Sequence, residues 1–276
     1  MRNLLAVDLS NQIYKAAAVN SKLTSGRKFT GGLYGFVDFL ARAIKVTEAT
    51  SVVICKDCPP YLRSATYPVY KKLREKSKDE DMVKRVVESK RYLDELFDII
   101  GIPVLAVPGF ECDDLIALLV HKYRHRYGRI IAASNDSDLY QLFEVSDGFS
   151  IYKGKKGFYD HADFKDEWDL SREQFMTAHA LMGTHNDIEG IPGVGPVTAK
   201  KIVRDPVKLR TYQGSHKDLI QRNYDLISLP HADLPFSTQL PVPRGKFKER
   251  EFIRFLGRFD IQVTQTMITS LEKVMG

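Results

Sequence analysis

Seven acids define the chemistry open to this chain. In "GFECDDLIALL", Glu111, Asp113 and Asp114 stand directly before an apolar run, and "SNDSDLYQL" adds Asp136 and Asp138. Asp8 lies in "NLLAVDL" and Asp57 closes "SVVICKD". One acid before an apolar run is an ordinary helix cap, because its oxygens accept from the orphan N–H groups of the first turn. Any of the seven, taken singly, reads best that way. Three within four residues repel one another unless something positive sits among them. Oxygen donors without Cys or His favour Mg²⁺ or Mn²⁺ over zinc. A pair of such ions suits displacement at a phosphodiester: one lowers the pKa of the attacking water and the other stabilises the leaving oxygen.

Two other chemistries fit less well. A phosphatase of the haloacid-dehalogenase type also uses a strand-end Asp, but needs a second Asp two residues on, where this chain has Ser10. Cys55 and Cys58 have CxxC spacing, yet no second ligand pair follows for zinc, and Pro59-Pro60 replaces the helix that a redox motif would open.

The elements that must position the acids follow from periodicity. Short β-rich runs at 3–9, 51–57, 102–108, 129–135 and 149–153 alternate with helical patterns such as 31–46 and 84–101. In the latter, Val87, Tyr92, Leu93, Leu96, Phe97 and Ile100 fall at helical spacing. This alternation predicts an α/β domain with a central, largely parallel sheet flanked by helices. The acids then follow four strand ends and converge on the carboxyl edge, where open sheets bind ligands. From Ser171 onward the pattern turns to helix and loop, and residues 205–245 read as long connections. The expected organisation is a core over 1–170 and a helical region over 171–276.

A second informative stretch is "GIPGVGPVTAKKIV". Gly193 and Gly195 permit a tight turn, followed at Thr198 by a helix carrying Lys200 and Lys201. Exposed N–H groups at such a turn cradle a phosphate without reading bases. The net charge of +6 fits a polyanionic partner, though a solvated helix face explains each basic run equally well. The longest apolar runs are strand-length, so no membrane span is expected, and the N-terminus shows no signal-peptide core. The reading is a cytoplasmic protein.

With these motifs in order, residues 4 to about 204 resemble the 5′-nucleases. This flap endonuclease/5′→3′ exonuclease family includes phage exonucleases and the 5′-nuclease domain of bacterial family-A DNA polymerases. The matching stretches are "VDLSN", "KDCPPYLR", "YPVYKKLR", "GFECDDLIA", "SNDSDLYQL" and "LMGTHNDIEGIPGVGPVTA". The resemblance implies a PIN-like α/β fold, a helical arch within 64–90, and a helix–three-turn–helix with its helix–hairpin–helix at about 181–204. It assigns Asp8, Asp57, Glu111, Asp113 and Asp114 mainly to a first metal, and Asp136 and Asp138, with Asp187, to a second. It places Lys71 and Arg74 at the base of the arch to draw in the scissile phosphate, and Arg63, Tyr70 and Lys72 on DNA. It also admits a K⁺ ion at the helix–hairpin–helix. The implied host is a bacterial or phage-infected cell, and the implied state a monomer acting on DNA with 5′ flaps or free 5′ ends. RNA of an RNA–DNA hybrid stays open as a substrate.

One motif departs. The family pattern Gly-Asp-x-x-Asp-Asn-Ile is one residue shorter here, with Thr184 in place of the first Asp and only Asp187 left, beside His185 and Asn186. A weakly held second ion is the expected result. The rival from another class is a catalytically silent junction-binding relative, but a pure binder gains nothing from acids facing phosphates.

Overall fold

Alternation of side chains decides how the sheet is buried. In β1 (Asn3–Asp8), Leu4 and Ala6 enter one hydrophobic core while Leu5 and Val7 enter another. That is the period-2 pattern of a strand covered on both faces. In this computed structural model the described residues are 2–72, 79–184, 187–243 and 245–275. After β1 come β2 (Thr24–Ser25) and β3 (Lys28–Phe29), a small antiparallel ladder of their own. Then β4 (Ser51–Cys55), β5 (Val104–Leu105), β6 (Arg129–Ala133), β7 (Phe149–Tyr152) and β8 (Phe158–Tyr159) join β1 in one sheet of order β5-β4-β1-β6-β7-β8. All pairings are parallel except β7 with β8.

The connectivity makes the crevice. The chain runs from β1 outward through β4 to β5, then returns to the other flank of β1 as β6. Loops leave in opposite directions at that reversal and open a gap beyond the carboxyl ends of β1 and β6. Asp8 is the last residue of β1, and Ser134 follows the end of β6.

One sheet face is covered by helices Leu9–Val19, Gly31–Val46, Leu93–Ile100, Glu249–Gly257 and Gln265–Met275, with Phe36 and Phe97 meeting edge to face. The other is covered by Cys112–Tyr123, Arg172–Met182, Pro196–Arg204 and Lys217–Ile227. Residues beyond 171 thus pack on both faces, one group beside each core. No described helix is long and apolar enough to cross a membrane.

Several boundaries differ from expectation, each for a local reason. The pattern over 84–101 is two helices, Glu80–Lys90 and Leu93–Ile100, broken around Arg91 and Tyr92. Val87 is therefore not a core residue but 58% exposed. The third strand shrinks to Val104–Leu105, because only those two residues find a partner at the edge of the sheet. Much of 205–245 is helix, Pro206–Ser215 and Lys217–Ile227, started at Pro206 by the Asp205 carboxylate accepting from Val207 and Lys208. Polar helices with few apolar positions conceal their period. Of the expected arch, residues 73–78 lie outside the described residues, and so does Arg74; the expected helix–hairpin–helix likewise includes His185 and Asn186, which lie outside them.

Candidate metal centre and nucleic-acid interface

The acids at the carboxyl edge divide into two kinds. Asp8 caps the helix Leu9–Val19 by accepting from Asn11 N at 3.0 Å, and its other oxygen accepts from the Ser134 hydroxyl at 2.9 Å. Asp57, two residues past β4, accepts from Cys112 N at 2.8 Å and so ties that strand end to the helix carrying Asp113. Asp136 accepts from Asp138 N at 2.9 Å and opens the 3-10 turn Ser137–Leu142. The capping role that suits a single acid is real for Asp8 and Asp136. Capping leaves lone pairs over.

Electrostatics shows that these acids crowd one another. Burial, with Asp57 and Asp136 nearby, lifts the Asp8 carboxyl to about 6 against its bonds from Asn11 and Ser134. Burial and Asp136 lift Asp138 to about 7, although Lys71 and Arg63 pull the other way. Asp113 is pushed well above the ordinary carboxylate value by burial, Asp136 and Asp8. Its Oδ1 is buried and has no hydrogen-bond partner among the described residues. An orphaned buried carboxylate oxygen costs about 1–3 kcal/mol or more, so it persists only where something else compensates. Among the described residues, no three Asp, Glu, His or Cys side chains already enclose a point where a metal ion would sit. The acids of this group are neighbours by charge rather than a closed coordination shell.

The second kind of acid is fully paired. Asp114, 0% exposed, receives Arg63 Nη1 at 2.6 Å on one oxygen and Nη2 at 2.8 Å on the other. His231 N and Glu111 N complete its four acceptor positions at 2.8 and 3.2 Å. Glu111 accepts from Arg63 at 3.3 Å, from the Tyr70 hydroxyl at 2.8 Å and from the Lys71 ammonium. Lys71 holds a left-handed backbone, φ +59°, at the end of a short turn that brings its side chain onto Glu111.

These contacts correct three expectations. Asp114 is not open to a metal ion, because all four of its acceptor positions are used. Arg63 does not face DNA: it is 3% exposed and its guanidinium is consumed inside the protein. Tyr70, 6% exposed, likewise holds Glu111 rather than a nucleic acid. Part of the positive charge expected among the acids is therefore protein: Arg63 and Lys71 neutralise Glu111 and Asp114. Asp8, Asp57, Asp113, Asp136 and Asp138 form no ion pair with a lysine or arginine among the described residues.

The glycine turn lies beside this group. Gly193 adopts φ +79° and Gly195 caps the helix Pro196–Arg204, and a Cβ on either would meet nothing. The helix begins at Pro196, whose fixed φ suits a first position, so Thr198 lies in its first turn rather than at its start. Gly195 shares a crevice of about 320 Å³ with Ser137, Asp138, His179 and Thr184. Lys201 and Lys72 are exposed. Lys200 is turned inward, donating to Glu167 O at 2.8 Å and lying 4.4 Å over the Trp168 ring. Asp187 stands at φ +62° before β10 (Ile188–Glu189), whose partner β9 is Gly183–Thr184; Thr184 and Ile188 line the crevice with Asp138.

Two contributors were not visible beforehand. Ser134, 0% exposed, donates to Asp8 and accepts from Asp136 N at 3.1 Å, linking two strand ends. A serine two residues before Asp136 was its only signal. Gln141, 1% exposed, donates to Asp138 O at 2.8 Å and to Ile227 O at 3.0 Å. Nothing in the sequence marks it.

Known proteins resemble this chain in sequence and fold. The family model of the 5′-3′ exonuclease N-terminal, resolvase-like domain matches residues 3–169. A 5′-3′ exonuclease of Aquifex aeolicus is 31% identical over 209 residues, covering 74% of this chain and 70% of that protein. A thermostable DNA polymerase I of Thermus thermophilus is 30% identical over 247 residues, which is 84% of this chain but only 29% of the polymerase. Among solved structures, a T5 5′-exonuclease with bound divalent metal ions (zinc) superposes with a TM-score of 0.69 at 24% identity, covering 83% of this chain and 90% of that one. The chain belongs to the 5′-3′ exonuclease family.

Proposed function

We propose that the protein is a divalent-metal-dependent 5′-nuclease that hydrolyses phosphodiester bonds near free 5′ ends and 5′ flaps of DNA. One observation carries this reading: Asp138, a buried acid crowded by Asp136, stands in the same crevice as an open glycine turn at a helix N-terminus. Acids alone would repel a phosphate, and a phosphate cradle alone would need no acids. Together they suit a backbone held beside divalent cations.

The donors fit such ions. All are hard oxygens, and the buried Oδ1 of Asp113 lacks any other partner among the described residues. Asp8, Asp57 and Asp113 would hold a first Mg²⁺ or Mn²⁺, while Asp136 and Asp138, with Asp187, would hold a second more weakly. Such ions supply an activated water and charge compensation at the leaving oxygen. Lys71, reached by turning from Glu111, would attract the scissile phosphate, with Arg74 as its companion. Lys72 and Lys201 would lie along the backbone, and Gly193, Gly195 and Thr198 would face duplex phosphates. Water adds to phosphorus and the bridging oxygen departs, leaving a 5′-phosphate and a 3′-hydroxyl. The protein would act as a monomer, with RNA–DNA hybrids as a second substrate class and K⁺ at the hairpin.

Cleavage mapping on end-labelled 5′-flap, nicked, blunt and single-stranded DNA, with Mg²⁺ or with EDTA, tests this. Metal-dependent cuts near the flap junction or from the 5′ end support it. Tight flap binding with no cleavage at any Mg²⁺ concentration would instead favour a silent junction binder.

A further inference from the structure

The segment 226–231 meets the acid group's support at three residues, Arg63, Asp114 and Gln141. Its contribution is main chain. Leu226 O accepts from Arg63 Nε at 2.8 Å and Ser228 O from Arg63 Nη2 at 3.0 Å. Ile227 O accepts from Gln141 Nε2, and Leu229 N donates to Gln141 Oε1 at 2.9 Å. His231 N donates to Asp114. Arg63 thereby spends its Nε–H and both amino groups on two loop carbonyls, Asp114 and Glu111, and Gln141 spends its whole amide on the loop and on Asp138 O.

Each partner leads to a different side of the centre. Arg63 and Asp114 lead to the helix Cys112–Tyr123 and so to Asp113. Gln141 leads to the turn Ser137–Leu142 and so to Asp138. The segment starts in the last turn of the helix Lys217–Ile227, whose buried Asn223 donates to Ala180 O at 2.8 Å and Glu189 O at 2.9 Å, next to the glycine-turn region. Buried networks with every group satisfied fix one geometry, whereas a half-satisfied one is costly.

We propose that the loop 226–231 is a main-chain clamp that sets the spacing between the Asp113 side and the Asp138 side of the acid group. Arg63, Asp114 and Gln141 are its positioning residues. The inference rests on the nuclease reading above and extends it: the separation of the two ion positions is set by a segment that supplies no ligand. Peptide groups do this holding, while the buried side chains of Leu226, Ile227 and Leu229 anchor the segment in the core.

The test compares wild type with Gln141→Met, which keeps shape but loses the bridge, and Arg63→Lys, which keeps charge but loses the fork. Mn²⁺ titration by calorimetry and steady-state cleavage of a 5′-flap duplex are read on folded protein. The weaker Mn²⁺ event should lose about tenfold or more in affinity and kcat should fall similarly, with KM within about twofold. A folded variant with unchanged Mn²⁺ titration and kcat, or with losses confined to KM, overturns the clamp. If neither variant folds, amide hydrogen exchange on wild type decides: Mn²⁺ should slow Leu229 and His231, and unchanged exchange at both sinks the proposal. Wild type that neither binds Mn²⁺ nor cuts DNA would instead remove the nuclease reading.

Discussion

Asp113 and Asp114 are neighbours on one helix, yet they live in opposite electrostatic worlds. Asp114 has a bidentate arginine and two backbone donors; Asp113 has a buried oxygen that no described residue satisfies. Successive helical residues point about 100° apart, so two adjacent acids cannot face the same way. That divergence turns the Asp114 carboxylate onto Arg63 and leaves the Asp113 carboxylate without an ion pair among the described residues. Matched charges build the frame; on the nuclease reading proposed above, the unmatched ones would face the ions.

The strongest break of this comparison is at the unmatched acid. Asp113→Asn should cut Mg²⁺-dependent cleavage of a 5′-flap duplex on the order of a hundred- to a thousandfold, while the melting temperature in EDTA holds or rises. Unchanged turnover would remove Asp113 from the centre. Asp114→Ala should do the reverse in kind: it strands Arg63 in the interior and should cost about 3–5 kcal/mol in urea unfolding. A loss below about 1 kcal/mol would show that the pair contributes little.

Next in size is Lys71→Ala, expected to lower single-turnover cleavage roughly tenfold or more while flap affinity changes little, since its charge acts where the phosphate meets the acids. Equal losses in rate and affinity would make it an ordinary backbone contact.

The pH response sharpens the contrast further. Native Asp8 and Asp138 take up protons at higher pH than the unfolded chain, with carboxyls lifted from 3.8 to about 6 and about 7. Their ionisation therefore opposes folding, and their contribution to stability should fall as pH rises from about 4 to 7. Thermal melts in EDTA should show this decline, Mg²⁺ should reverse most of it, and Asp138→Asn should flatten it. A slope identical in wild type and Asp138→Asn would contradict the assignment. The smallest effect concerns the hairpin helix: Lys201→Ala should weaken flap binding a few-fold and reduce its salt slope by about one, whereas inward-turned Lys200 should matter less to the slope.

The sheet, its parallel order and the gathering of Asp8, Asp57, Asp113, Asp136 and Asp138 at one edge were legible, because strand ends can be read from apolar runs and topology does the rest. The sorting of acids into paired and unpaired was not. Arg63 looks like one more basic residue near a basic stretch, and its partners Glu111, Asp114, Leu226 and Ser228 lie far along the chain. Gln141 was hidden for the same reason, since an amide announces nothing until its two sides are filled. The split at Arg91 and Tyr92 escaped because Val87 falls at helical spacing with Leu93, Leu96, Phe97 and Ile100, although it is exposed on the preceding helix.

Leu5, Val7 and the helix Gly31–Val46 share their core with Phe252, Phe255 and Met267, which arrive roughly two hundred residues later in translation. At typical elongation rates that is a delay of about 10–40 s, during which this face of the sheet is covered only by its earlier helices. A chain in this interval lacks the two helices that complete that core. Its two sheet faces close in order, with residues up to Leu240 completing one and the helices after Lys248 sealing the other. The helices Glu249–Gly257 and Gln265–Met275 lie on the side of the sheet away from the helix that carries Asp113.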